Sequence, residues 1–215
     1  MTAQQILSFI TDIGVVPVVR TSSAETAIKS VEAIHKGGIR SAEITMTVPG
    51  ALKALEKVAD QFGDRIMLGA GTVLDPETAR SCMLAGAQFF VTPNLRLSTI
   101  AMCKRYSKVI CIGALTPTEV VTAWEAGADV IKIFPADAVG GAKYIKALKG
   151  PLPQVQMIPT GGVNIETTPD FLKAGAIAVA VGSELVNAKL IEDNNYAEIE
   201  NRAKQFLAAV AKARA

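Results

Sequence analysis

The chain has few aromatic residues, a single histidine, three cysteines and almost no net charge. Only 5% of its 215 residues are aromatic, and the formal charge of +2 is spread over interspersed acids and bases. This even distribution excludes the basic face that nucleic-acid-binding proteins present, and it gives no reason to expect contact with a membrane surface. No apolar run reaches the roughly 18 residues of a spanning helix, so we expect no transmembrane segment.

The scarcity of histidine and cysteine limits the chemistry that the chain can perform. His35 ends a predicted helix, where a structural role is more common than catalysis. Cys82, Cys103 and Cys111 lack metal-ligand spacing, and their odd number favours free thiols in a reducing cytoplasm. The first residues lack the basic segment and cleavage site of a signal peptide. We therefore predict a cytoplasmic protein with no metal and no cofactor, since no cofactor fingerprint is found either.

What the chain has instead is a repeating order of aliphatic segments. Half of its residues are hydrophobic, which with abundant Ala, Val, Ile and Gly favours helices packed on a parallel sheet. A short helix is predicted at Gln4–Thr11, and eight strand–helix units follow it. The predicted strands span 14–19, 41–45, 66–69, 88–91, 109–113, 130–134, 156–159 and 177–181. The predicted helices span 24–36, 49–61, 76–84, 98–106, 117–125, 142–148, 167–173 and 196–212.

Eight such units predict the α/β fold class and a single (β/α)8 TIM barrel domain over residues 1–215, with a short N-terminal helix. An open doubly wound sheet is the alternative, but it would want a glycine-rich fingerprint after the first strand. The chain has Arg20-Thr21-Ser22 at that point. In a barrel, the residues at the carboxyl ends of the strands form the active face, and here those ends are rich in small and hydroxyl residues.

Two charged residues lie inside predicted strands. Lys132 interrupts the apolar run Val130–Phe134, and Glu43 is the only carboxylate well inside a strand. A purely structural buried salt bridge is one interpretation of this pair. The functional interpretation is a nucleophilic amine, because burial favours its neutral form, with a carboxylate that moves protons. Since a tight ion pair would keep the amine charged, we expect Glu43 near Lys132 but bridged to it by water or substrate.

Two glycine-bearing turns predict a phosphate site. Thr160-Gly161-Gly162 follows the seventh strand and Gly182-Ser183 follows the eighth. Barrels often bind phosphate with the backbone N–H groups of these two loops and of a helix N-terminus. Ordinary turn chemistry is the alternative explanation of these glycines.

A series of motifs that occur in order from Val15 to Val186 gives the chain a resemblance to a known family. These motifs are VVPVVR, EITMTVPGAL, LGAGTV, VTPNL, GALTPTE, VIKIFPADAVGG, IPTGGV and VGSELV. The chain resembles the 2-keto-3-deoxy-6-phosphogluconate (KDPG) aldolases, a family that also covers 4-hydroxy-2-oxoglutarate (KHG) aldolase activity. The resemblance implies a class I, metal-free aldolase on a (β/α)8 barrel that is usually a homotrimer. It also implies a small phosphorylated 2-keto acid as the substrate.

The resemblance assigns roles to individual positions. Lys132 matches the Schiff-base lysine and Glu43 the general acid/base. Arg20 and Thr72 match positions around the pyruvate-derived end of the substrate, and Pro93 and Phe134 match the pocket walls beside the imine. The phosphate loops are matched by Gly161, Gly162, Gly182 and Ser183. Thr47 departs from the pattern, because many members carry there an arginine that holds the substrate carboxylate. A threonine can donate a hydrogen bond to a carboxylate but cannot form a charged bidentate clamp.

Several functions stay open at this point. Within the aldolases, the substrate could be unphosphorylated KHG or a phosphogalactonate epimer of KDPG. Outside the lyases, the barrel could be a phosphosugar isomerase or a non-catalytic phosphosugar binder with a structural lysine–glutamate pair, because barrels host many reactions.

Overall fold

Eight parallel strands surround a common axis in the computed structural model, which describes residues 1–215. The strands are hydrogen-bonded in the order β7-β6-β5-β4-β3-β2-β1-β8. A parallel bridge between Thr160 and Ala180, together with a 3.0 Å hydrogen bond from the Ile177 N–H to the Met157 carbonyl, joins the β7 and β8 sides. The (β/α)8 barrel prediction is therefore confirmed, and the open doubly wound sheet is wrong.

Helices alternate with the strands along the chain. The strands are β1 (Val15–Val19), β2 (Ser41–Thr45), β3 (Met67–Gly71), β4 (Phe89–Val91), β5 (Val109–Ala114), β6 (Val130–Ile133), β7 (Met157–Pro159) and β8 (Val179–Val181). The helices are α1 (Ala3–Ile13), α2 (Ala24–Lys36), α3 (Ala51–Phe62), α4 (Pro76–Leu84), α5 (Leu97–Arg105), α6 (Pro117–Glu125), α7 (Ala142–Lys149), α8 (Thr168–Lys173), α9 (Ala188–Glu192) and α10 (Tyr196–Arg214). Short 3₁₀ turns occupy Gly63–Arg65 and Asp137–Val139.

Every strand and helix predicted from the sequence is present, but some ends differ. The helix predicted from Pro49 begins at Ala51, because Gly50 adopts a left-handed conformation with φ of +73°. The strand predicted to end at Phe134 ends at Ile133. The sequence pattern also missed α9, which is only five residues long and therefore too short to show a helical period.

Local capping explains why helices start directly after the strand-end loops. Asp75 precedes α4 and its Oδ1 accepts a 2.6 Å hydrogen bond from the Thr78 N–H. Thr116 forms a capping box with Glu119 at the start of α6. Both helices have proline at their first position, where a missing N–H costs nothing. These caps keep the strand-end loops short.

The apolar core has two layers, because side chains alternate between the faces of each strand. The outward-facing residues pack against the helices, as Ile131 and Ile133 of β6 do. The inward-facing residues fill the barrel, and Ile6 and Ile10 of α1 pack with them. None of the helices combines the length and the apolar composition that crossing a bilayer requires. The barrel thus offers two distinct ends, one against α1 and one lined by loops.

Candidate active site

The loops at the carboxyl ends of the strands enclose a cavity of about 610 Å³. Nine of the eleven site residues named from the sequence line it. They are Arg20, Thr72, Pro93, Lys132, Phe134, Gly161, Gly162, Gly182 and Ser183. Glu43 lies deeper in the barrel, and Thr47 lines neither the cavity nor the space below it. A cavity of this size is large enough for a six-carbon phosphorylated acid.

Lys132 reaches the cavity from inside the barrel because of the alternation along β6. Val130 belongs to the inner layer, so Lys132, two residues later, also points inward. The strand neighbours of Lys132 are Gly113 on β5 and Ile158 on β7. The lysine is 7% exposed, and its Nζ lies 5.0 Å from the centroid of the Phe134 ring. Its amine forms no salt bridge, so the nitrogen is free to meet a ligand from the cavity.

Glu43 is the second inward-facing charge. Its neighbours Ala42 and Ile44 face the helices, so the carboxylate points into the barrel, where the residue is 1% exposed. Neither carboxylate oxygen has a hydrogen-bond partner. Burial raises the pKa of this carboxyl, and the positive charges of Lys132 and Arg20 oppose the rise. A carboxyl of this kind can hold a proton that an exposed glutamate would lose.

A small inner chamber joins the two charges. Glu43 and Lys132 both line it, together with apolar side chains of the barrel, and its open volume is about 10 Å³. That is about the space of one water molecule. No direct ion pair links the two side chains, which is the arrangement that the sequence predicts for a nucleophile and a proton carrier.

Two glycines allow the close approach that this geometry needs. An added Cβ at Gly71 would overlap the Glu43 carboxylate, so the glutamate lies directly against the β3 backbone. An added Cβ at Gly113 would overlap the backbone of Pro93 and Asn94. The loop after β4 therefore lies directly over β5, which places Pro93 at the cavity wall.

The loops after β7 and β8 form the far end of the cavity. Gly161 and Gly162 have φ of +99° and +68°, a backbone conformation that favours glycine, and they lie against Asp137. Gly182 and Ser183 line the cavity from the neighbouring loop. This is the pair of loops in which barrels bind phosphate through backbone N–H groups.

Two threonines behave differently from one another. Thr72 lines the cavity directly after β3 with φ of +55°, an uncommon conformation for a β-branched residue. Thr47 is exposed, and its hydroxyl forms a 2.8 Å hydrogen bond with the Thr45 hydroxyl. The structure therefore does not place Thr47 at the cavity, because its backbone has already turned away after β2.

Several cavity residues have no signal in the sequence pattern. Their side chains are polar, and they lie in loops where neither period nor burial marks them: Asp137, Asn164 and Asn187. Asp137 and Glu184 make the far end of the cavity acidic, whereas Arg20 and Lys132 are the only cationic residues in the lining. A phosphate at the far end would therefore be bound by backbone and hydroxyl groups rather than by a basic side chain.

The remaining candidate groups lie outside the cavity. His35 lies in the last turn of α2 and packs edge-to-face with Phe62, with ring centroids 5.3 Å apart. Cys82, Cys103 and Cys111 are buried and unpaired, and burial raises the pKa of the first two thiols to about 12. No group of three or more His, Cys, Asp or Glu side chains is arranged as metal ligands.

The chain is similar to known proteins of one aldolase family. The profile of the KDPG and KHG aldolase family matches residues 6–202. The chain is 34% identical to a 2-dehydro-3-deoxy-phosphogluconate aldolase of Haemophilus influenzae, over 96% of this chain and 97% of that protein. It is 35% identical to a 2-dehydro-3-deoxy-6-phosphogalactonate aldolase of Escherichia coli K12, over 83% and 87% of the two chains.

A solved structure is similar over nearly the whole length. A KDPG aldolase of Legionella pneumophila, with pyruvate captured at low pH as a covalent carbinolamine intermediate, superimposes with a TM-score of 0.86. It is 30% identical, and the match covers 93% of this chain and 97% of that one.

Proposed function

Since this chain belongs to the KDPG and KHG aldolase family, we propose that it is a metal-independent class I aldolase acting through a Schiff base on Lys132. The proposed reaction cleaves KDPG to pyruvate and D-glyceraldehyde 3-phosphate. The observation that carries the proposal is the placement of Lys132, a nearly buried amine without an ion-pair partner that faces both the cavity and Glu43. The carbinolamine of pyruvate in the Legionella relative, a species that precedes an imine, supports this route.

The first half of the reaction forms the imine. The neutral Nζ of Lys132 adds to the C2 ketone and gives a carbinolamine. Glu43 in its protonated form, which burial favours by raising the pKa of the carboxyl, donates a proton to the carbinolamine hydroxyl, and water leaves. The product is a protonated imine at C2, and Glu43 is now a carboxylate.

The second half breaks the carbon–carbon bond. The Glu43 carboxylate accepts the proton of the C4 hydroxyl, the C4 carbonyl forms, and the electron pair of the C3–C4 bond moves into the imine. D-Glyceraldehyde 3-phosphate leaves, and an enamine remains on Lys132. The enamine takes a proton at C3 from Glu43. Water hydrolyses the resulting protonated imine to pyruvate and the free amine, and the proton released in this step returns to the Glu43 carboxylate.

The cavity lining supports an assignment of the two substrate ends. Arg20 is the only guanidinium in the lining, so we assign the substrate carboxylate to it, in the absence of a cation at Thr47. The loops with Gly161, Gly162 and Ser183 are assigned to the phosphate. Binding energy from the remote phosphate then helps to orient the reacting carbons.

A second substrate has a specific observation in its favour. The E. coli relative named as a phosphogalactonate aldolase is as similar to this chain as the KDPG aldolases are. The C4 epimer of KDPG is therefore the second candidate, and unphosphorylated KHG is the third. Comparison of kcat/KM for the three compounds ranks them directly.

The experiment that tests the function is covalent trapping. The protein is incubated with pyruvate and borohydride, its intact mass is measured, and the modified peptide is mapped. One reduced pyruvyl group on Lys132 is expected, and dialysis against a chelator should leave the cleavage rate unchanged.

Lys149 is the matched internal control for this experiment. Burial lowers the pKa of Lys149, which favours its neutral, nucleophilic form, but its Nζ donates to the carbonyls of Pro153 and Val155, outside the cavity. An adduct on Lys149 alone, or full cleavage activity in Lys132→Ala, would show that the proposal is wrong. No adduct in a protein that binds pyruvate would favour the isomerase or the non-catalytic binder.

We also propose a cytoplasmic homotrimer, as the family resemblance implies. Large apolar side chains on α4, α5 and α6 are 72%, 52% and 43% exposed at Leu84, Leu97 and Trp124, which supports burial against another copy. The three unpaired thiols support a reducing compartment. Light scattering of the purified protein measures the assembly mass.

A further inference from the structure

The N-terminal helix closes the barrel at the end opposite the cavity. Ile6 and Ile10 are 3% and 0% exposed, and both belong to the inner core of the barrel. The same core contains Met67, Val109 and Val130, which are the first residues of their strands. Helix α1 therefore lies across the amino ends of the strands, like a floor beneath the barrel.

Ile10 also reaches the chamber that holds the two proposed catalytic groups. It lines this chamber together with Glu43, Lys132 and the apolar walls formed by Phe89 and Ile158. Ile6, one turn earlier on α1, does not line the chamber. Ile10 is thus the point at which the N-terminal helix touches the space around Glu43.

Helix α1 is anchored at both of its ends. Thr2 and Gln5 form a capping box at its start. At its end, the Arg214 guanidinium donates hydrogen bonds to the carbonyls of Thr11 and Asp12. Because Arg214 belongs to the last turn of α10, residues from both ends of the chain hold α1 in place.

We infer that Ile10 is a positioning residue of the aldol reaction, because it seals the chamber from below and keeps water away from the Glu43 carboxyl. The inference rests on the proposed function, in which Glu43 carries the protons. A shorter side chain at position 10 enlarges a space that now has room for no more than about one water molecule. Additional water solvates the charged carboxylate better than the neutral acid, so the carboxyl loses its proton at lower pH.

The charges around Glu43 stay in place when only Ile10 changes. The groups that face it are Lys132 on β6, the buried Cys111 thiol on β5 and the positive charge of Arg20 after β1. Helix α1 presents no titratable side chain to the chamber. Burial is the main cause of the raised pKa of Glu43. Ile10 therefore acts on this pKa by limiting the water in the chamber and not by changing the charges around the carboxyl.

The test is the pH profile of kcat/KM in Ile10→Ala, with Ile6→Ala as the control. Both substitutions truncate a buried isoleucine of the same helix, but only the first opens the chamber. The proposed mechanism starts from the protonated Glu43 carboxyl in the free enzyme, so the alkaline limb of kcat/KM should move to lower pH by about one unit in Ile10→Ala. It should stay at its original position in Ile6→Ala.

A second variant keeps the inference testable if Ile10→Ala does not fold. Arg214→Ala loosens the anchor of α1 without touching the chamber, and it should move the alkaline limb in the same direction by a smaller amount. An unchanged alkaline limb in Ile10→Ala, or in Arg214→Ala as its substitute, would overturn the inference. Covalent trapping with pyruvate on the unmodified protein separates this result from failure of the proposed function.

Discussion

Replacement of Gly71 by alanine should disable the site through a single side chain. An added Cβ at this position would overlap the Oε1, Cδ and Cγ atoms of Glu43. The backbone of Gly71 is not in the left-handed region, so alanine itself is compatible with β3. Glu43 has little room to retreat, because it is 1% exposed and its chamber is about 10 Å³. The new methyl group must therefore displace the carboxylate.

The size of the effect follows from this overlap. Overpacking a filled core costs about 1–3 kcal/mol of unfolding free energy. For a domain of this size, that lowers the melting temperature by about 2–4 °C per kcal/mol. A displacement of about 1 Å at a reacting group costs on the order of 100-fold in rate. We therefore expect kcat to fall about 100-fold, with little change in KM because the cavity lining is unaltered.

Gly37→Ala is the matched control. Its Cβ would overlap the Ala203 side chain and the Glu200 carbonyl, where α2 packs on α10, away from the cavity. This variant should lose melting temperature to a similar degree and keep its kcat. Steady-state pyruvate release and thermal unfolding, measured on both variants, separate loss of stability from loss of the catalytic geometry.

A double-mutant cycle measures whether Gly71 and Glu43 act together. Glu43→Asp withdraws the carboxylate by one methylene, so it should slow the parent enzyme but cost much less in the Gly71→Ala background. Additive losses would show that the two residues act independently. A Gly71→Ala variant with the kcat of the parent, or of Gly37→Ala, would refute the close contact as a catalytic requirement.

Three further outcomes are expected. Burial holds the pKa of Glu43 above its ordinary value of about 4.5, so folding loses stability as the pH rises through that value and the folded pKa. Glu43→Gln should therefore raise the melting temperature at neutral pH while abolishing turnover, and the gain should vanish below about pH 4.5. Glu184→Gln removes an acidic group from the proposed phosphate end, so KM for KDPG should fall several-fold at low salt, with KM for KHG unchanged. Cys82 and Cys103, with pKa values near 12, should resist alkylation in the native protein and react after denaturation, as counted by intact mass.

The barrel and its two interior charges were predictable because strand periodicity survives in the sequence. Lys132 and Glu43 each lie between two apolar neighbours that face the helices, so the charged residues had to face the axis. Short loops between capped helices and strands then left a closed barrel as the simplest topology. The glycine turns after β7 and β8 followed from the same count of units.

Other features depend on contacts that no local pattern records. Arg214 reaches Thr11 from the opposite end of the chain, and Ile10 lines the same chamber as Glu43 only because the barrel has closed. Thr47 has a plausible residue type, but the turn after β2 directs it to solvent and to the Thr45 hydroxyl. Residue identity at a motif position therefore predicts chemistry, whereas the path of the loop decides whether that chemistry reaches the cavity.

Buried polar atoms usually have hydrogen-bond partners, but some of those at the proposed site have none. Both Glu43 oxygens and the Thr160 hydroxyl are buried without hydrogen bonds, and both residues border the chamber beside Lys132. His35 and Tyr196 also have unpaired buried atoms, but they lie on other parts of the structure, so an unpaired atom alone does not locate a site. The convergence of two such residues, a lysine without an ion pair and an open cavity is what supports the proposed site. An active site needs polar groups whose partners arrive only with the substrate, and stability is lower there for that reason.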